Sequence, residues 1–179
     1  MKLFSYFTED RQVRLGLELN GKKYNFTQLW EFYKDIKGIH QAPQLMFAQL
    51  MVEMGFFNMS DIKEVVDTVS ELRKIEDIRV AEPIEYDVPI SRPQKILCIG
   101  RNYVKHAQET GHDPTAEPIF FAKMPSAMIP HEGRIVIPKD AGRIDHEIEL
   151  AVVISQQGRH IPEDRAYEYA AGYTVVNDV

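Results

Sequence analysis

Cysteine is nearly absent from this chain. Cys98 is the only one in 179 residues, so no internal disulfide can form, and a reducing compartment is expected. Long apolar runs are missing too. The longest, Leu150–Ile154, has five residues, far short of the roughly 20 that a spanning helix needs. No charged-then-apolar leader opens the sequence, so the expectation is a cytoplasmic protein with no membrane partner. A basic excess is also lacking: 21 Lys+Arg stand against 27 Asp+Glu, a formal charge of -6, which argues against nucleic acid as a partner. The sequence holds no Gly-x-Ser-x-Gly elbow, no Walker-type phosphate loop, no Gly-x-Gly-x-x-Gly fingerprint and no Cys/His zinc spacing. These absences weigh against a serine hydrolase, a nucleotide-dependent enzyme and a dinucleotide-dependent dehydrogenase.

What is present is ordinary globular composition, 44% hydrophobic and 27% charged, in two halves that read differently. Lys2–Phe7 is a strand candidate, and Val13–Leu19 places an apolar residue at every second position, as a half-buried strand does. Asn20-Gly21 is a strong hairpin signal, with Lys22–Phe26 as the returning strand. Three helices are expected next. Thr27 caps the first, over Gln28–Lys37, with Gly38 as its stop; the second spans Pro43–Met54 and ends at Gly55. Ser60 caps the third, where Ile62, Val65, Val66, Val69 and Leu72 form one apolar stripe. Pro83, Pro89 and Pro93 then punctuate the chain, and the domain boundary is placed there. The expected fold class is α+β: a small N-terminal α+β accessory domain over residues 1–90, then a mixed or antiparallel β-rich core over 91–179. Its expected strands are Lys95–Gly100, buried around Cys98, then Pro118–Lys123, Arg134–Pro138, Glu147–Ser155 and Gly172–Val179.

The residues that suggest chemistry lie in the second half. In Asp145-His146-Glu147-Ile148-Glu149-Leu150, strand alternation puts Glu147 and Glu149 on one face and Ile148, Leu150, Val152 and Ile154 on the other. Two carboxylates about 7 Å apart at Cα can converge on one divalent ion, and hard oxygen donors suit Mg²⁺, Mn²⁺ or Ca²⁺. A solvated acidic strand face is the competing reading. Asp178, among Val175, Val176 and Val179, has the right chemistry for a third ligand, or is a turn residue after the strand.

His106 and Glu109 are three residues apart just after the Lys95–Gly100 strand. On a helical turn they share a face, where a carboxylate can orient an imidazole as a general base; a solvated helix face has the same spacing. Arg101, Asn102 and Tyr103, at the same strand end, suit a carboxylate substrate or simply form a polar loop. Cys98, between Leu97 and Ile99, reads as a small buried hydrophobe.

Taken in order, these segments resemble the fumarylacetoacetate hydrolase family. The matching pieces are Lys95-Ile-Leu-Cys-Ile-Gly-Arg-Asn-Tyr103 with His106 and Glu109, Glu117-Pro-Ile-Phe-Phe-Ala-Lys123 with Pro125 and Ser126, Asp145–Leu150, and Gly172–Val179. The resemblance covers about residues 93–179, and residues 1–90 look like the variable N-terminal domain of bacterial members. It implies Glu147, Glu149 and Asp178 as ligands of one divalent cation, usually Mg²⁺ or Mn²⁺, and His106 with Glu109 as the acid/base pair. Arg101, Asn102, Tyr103 and Lys123 would lie near the substrate cleft. It further implies a homodimer acting on 2-oxo or 1,3-diketo acids as a hydrolase, decarboxylase, isomerase or dehydratase, through an enolate stabilised by the ion. Relatives continue past Asn-Asp-Val into further strands and a catalytic lysine, so a chain cut inside its sheet is expected. The alternative is a non-catalytic carboxylate-binding relative or an inactive fragment.

Overall fold

Asn20 and Gly21 both take positive φ, 52° and 75°, so β2 (Val13–Leu19) reverses directly into β3 (Lys22–Asn25), as a two-residue hairpin between twisted strands requires. The structure, a computed structural model, describes residues 1–55, 58–72, 75–109, 111, 113 and 117–179, without the side chains of His106 and Glu109. β1 (Lys2–Phe7) pairs antiparallel with β2, and the short β4 (Glu85–Asp87) closes the other edge in the order β3-β2-β1-β4. The proline-rich stretch therefore does carry a strand, at a sheet edge, where missing ladder donors are tolerated.

One face of this sheet is covered by α1 (Phe26–Lys37), α2 (Ala48–Glu53) and α3 (Met59–Leu72). Leu15 and Leu17 point into a core with Phe26, Leu29, Trp30, Leu45, Met51, Val65 and Val69. Each such side chain contributes about 1.5–3 kcal/mol on full burial. On the opposite face the Phe4 ring lies on Gly16, its register partner, where a Cβ would come within 2.2 Å of the ring.

Helix boundaries depart from expectation for local reasons. α1 starts at Phe26 and is capped by Asn25, whose Oδ1 accepts from the Gln28 amide at 3.0 Å. Thr27 is used otherwise: its buried hydroxyl accepts from the Leu15 amide (2.9 Å) and donates to the Leu45 carbonyl (2.6 Å). The second helix is only the six residues of α2. The carbonyls of Ala42, Pro43 and Leu45 accept from Lys34, Trp30 and Thr27, which holds that segment out of a helix. Asn58, not Ser60, receives the Asp61 amide at the start of α3. Leu72, expected in the apolar stripe, is exposed.

Among the described residues, the second half holds two antiparallel strand pairs. β5 (Ile96–Gly100) pairs with β6 (Ile119–Lys123), and β7 (Glu147–Ile154) pairs with β8 (Ala170–Asp178). A short helix, α4 (Val104–Glu109), follows β5. Residues 134–138 form no strand: Ile135, Val136 and Ile137 are exposed and have no ladder partner among the described residues. Nor is β5 buried, since Leu97 and Ile99 are exposed and Cys98 is half-covered. The apolar sides of both ladders face outward, with Ile148 73% and Val175 70% exposed. No helix among the described residues is long and apolar enough to cross a membrane.

Candidate metal centre

Strand alternation puts Glu147 and Glu149 on one side of β7, and register does the rest. Glu147 is the Cα partner of Asp178 and Glu149 that of Val176. Directly opposed residues of an antiparallel pair project to the same face, so three carboxylates share one side of the ladder. The irregularity in this pairing falls between Val153 and Ile154, at the far end, and leaves the alternation at the acidic end intact. One carboxylate oxygen from each of Glu147, Glu149 and Asp178 lies within 4.8 Å of the others.

The acidic side is the more covered one. Glu149 and Asp178 are half-buried, whereas Glu147 at the start of β7 is exposed, as are Ile148 and Leu150 on the other face. The covering comes from β5–β6: Lys123, the last residue of β6, forms an ion pair with Asp178. Cys98, on the same side of that ladder as Lys123 by alternation, feels the charges of Asp178 and Glu149.

Electrostatics record the crowding. Burial first, then the negative charges of Asp178 and Glu147, push the Glu149 carboxyl above its ordinary value, with Lys123 opposing. The hydrogen bond to Asp178 raises the Lys123 ammonium. Burial raises the Cys98 thiol, and Asp178 and Glu149 add to it. A thiol so shifted stays protonated, consistent with Cys98 as an inert side chain.

Among the described residues, three carboxylates with one ammonium beside them fit a hard divalent cation. All donors are oxygen, they converge from adjacent strands, and their net negative charge is incompletely balanced. The other residues singled out in the sequence are placed unevenly. The Tyr103 hydroxyl accepts a long hydrogen bond (3.5 Å) from the Leu150 amide, which ties the turn after β5 to the strand bearing Glu149. Arg101, at φ 59°, and Asn102 are exposed on that turn. His106 and Glu109 lie on α4, but their side chains are outside the described residues. The position of Cys98 beside the carboxylates was not expected. Its apolar neighbours in sequence gave no signal of it, because the acidic face it meets belongs to a separate ladder.

Known proteins similar to this chain match chiefly its second half. Residues 95–179 match the family described as Fumarylacetoacetate (FAA) hydrolase C-terminal. An uncharacterized protein of Pyrococcus abyssi is 43% identical over 88 residues, which are 49% of this chain and 39% of that protein. The human mitochondrial oxaloacetate tautomerase FAHD2A is 38% identical over 96 residues, 54% of this chain and 31% of its own length. A solved fumarylacetoacetate hydrolase from the psychrophilic Exiguobacterium antarcticum shares the fold, with a TM-score of 0.60 at 22% identity over 99% of this chain and 55% of its own. The chain thus spans about half of that structure and about two fifths or less of these curated relatives. With the motifs in order and three carboxylates converged on one ladder face, the segment from residue 95 to residue 179 belongs to the fumarylacetoacetate hydrolase family.

Proposed function

We propose that this chain carries the cation-binding part of an enzyme that acts on 2-oxo or 1,3-diketo acids through an enolate. The observation that carries this reading is the convergence of Glu147, Glu149 and Asp178 from paired strands, in a segment of a family that includes an oxaloacetate tautomerase. A bound Mg²⁺ or Mn²⁺, with Ca²⁺ as the weaker candidate, would supply positive charge against the developing enolate. The three carboxylates would hold that charge in place, and the partial burial of Glu149 and Asp178 limits screening by water. Arg101, Asn102 and Tyr103 lie at the mouth of β5, where a guanidinium and amide can take the substrate carboxylate. Lys123 lies beside the cluster, near the proposed substrate cleft. As the resemblance implies, His106 and Glu109 would serve as the acid/base pair and move the proton: from water in a C–C hydrolase, or between oxygen and carbon in a tautomerase.

The boundary near residue 90 separates these groups from an accessory domain whose hydrophobic core is built without them. Support for a homodimer is the row of exposed Ile148, Leu150, Val152 and Ile154, apolar surface of the kind that partners cover. Light scattering should report a dimer; a monomer would remove that part. A cytoplasmic enzyme of this kind works on small molecules.

The deciding experiment is turnover of oxaloacetate and of an acylpyruvate with added Mg²⁺ or Mn²⁺. Activity that disappears with chelator and in Glu147→Ala is expected. Turnover indifferent to both would refute the role given to the carboxylates.

A further inference from the structure

We propose that Lys123 is the resident counter-cation of the carboxylate cluster: its ammonium neutralises Asp178 while no divalent ion is bound, and is displaced when one binds. This rests on the reading of Glu147, Glu149 and Asp178 as a cation site.

Lys123 and Asp178 are 55 residues apart in sequence and lie on different ladders, yet their charged atoms are in direct contact. The contact is partly sheltered, with the Asp178 side chain 17% and the Lys123 side chain 34% exposed. It therefore escapes much of the solvent screening that makes surface ion pairs weak. Lysine suits the part. Its ammonium is a compact charge with three donors on a flexible stem, able to follow a carboxylate and then swing away from it, where a guanidinium would hold a fixed fork. The lysine also comes from a position the strand end constrains: it closes β6, and Pro125, two residues on, opens the short 3-10 turn Pro125–Ala127. The carboxylates thus have a positive partner built in, from a ladder other than their own.

Three roles for Lys123 then differ in the sign of one measurement. If Lys123 competes with the cation, removing its charge tightens cation binding. If it only positions Asp178 for the cation, removal weakens binding. If it contacts substrate alone, removal leaves cation binding unchanged.

Binding of Mn²⁺ alone, without substrate, can be measured on the 179-residue chain by the electron paramagnetic resonance of free Mn²⁺ and by calorimetry. The variants are Lys123→Gln and Lys123→Arg. Lys123→Gln should bind Mn²⁺ about tenfold more tightly, equivalent to about 1.4 kcal/mol, and Lys123→Arg should stay within about threefold of wild type. Saturable binding in wild type with equal or weaker binding in Lys123→Gln overturns the inference and leaves the cation site standing. No saturable binding in any of the three proteins overturns the cation site and the inference together. A readout that needs no substitution decides the matter if circular dichroism shows Lys123→Gln misfolded. Acetylation of wild-type Lys123, followed by mass spectrometry, should rise at least about threefold when Mg²⁺ is added, because the displaced amine gains access to reagent. Unchanged or reduced labelling counts against displacement.

Discussion

Glu147 and Asp178 are Cα partners across the β7–β8 ladder, two carboxylates placed directly opposite one another with Glu149 two residues along the same strand. Like charges so placed destabilise a ladder, and among the described residues Lys123 pairs with Asp178 alone of the three.

The cluster should therefore trade stability for cation binding. Glu147→Gln and Glu149→Gln are each expected to raise the melting temperature of the cation-free chain while weakening Mn²⁺ binding about tenfold or more. Calorimetry with and without Mn²⁺ checks both signs at once. A variant that lost stability without cation would contradict the repulsion.

Tyr33 donates its hydroxyl to Glu64 Oε1 at 2.8 Å, bridging α1 and α3. Burial first, then this bond, push the Tyr33 hydroxyl up to about 12, and the bond from Tyr33, with Lys37, holds the Glu64 carboxyl below its ordinary value. The tyrosine's contribution is present below its unfolded value near 10 and is lost as pH rises through about 12. The glutamate's contribution is present above its unfolded value and lost as pH falls through its folded one. Tyr33→Phe should flatten the fall in stability between about pH 10 and 12, as read by urea midpoints across the alkaline range.

Thr27 links three segments through one hydroxyl, taking the Leu15 amide and reaching the Leu45 carbonyl. Thr27→Val keeps the shape and leaves that buried amide without its acceptor, at a cost of about 1–3 kcal/mol. Thr27→Ser should retain most of the stability. Equal denaturation curves for Thr27→Val and wild type would show that the amide is satisfied in another way.

Ser5 is buried at 1% exposure, and its Oγ has no hydrogen-bond partner among the described residues. Removing a desolvated, unpaired hydroxyl should help. Ser5→Ala is expected to gain about 1 kcal/mol in chemical denaturation, and a loss would reveal an unseen partner for the hydroxyl.

Much of the N-terminal unit was legible because its signals are local. The alternation of Val13–Leu19, the Asn20-Gly21 turn and the Gly38 stop each act over a few residues, and each stands where expected. The errors arose where a side chain found a distant partner. Thr27 left its capping role for Leu15 and Leu45, and the carbonyls of 42–45 were drawn out of a helix by α1. Residues 134–138 have strand-like residues, but a strand exists only when another pairs with it.

At the candidate site the division is sharper. That Glu147 and Glu149 share a face follows from the sequence by itself, because side chains two residues apart on a strand point the same way. That Asp178 joins them depends on the register of β7 with β8, and that Lys123 and Cys98 meet them depends on the approach of β5–β6. Chain chemistry determines what a carboxylate can bind. Only the tertiary structure brings the carboxylates of two strands and an ammonium of a third together, with Glu149 and Asp178 partly sheltered, so that their charges act strongly on each other.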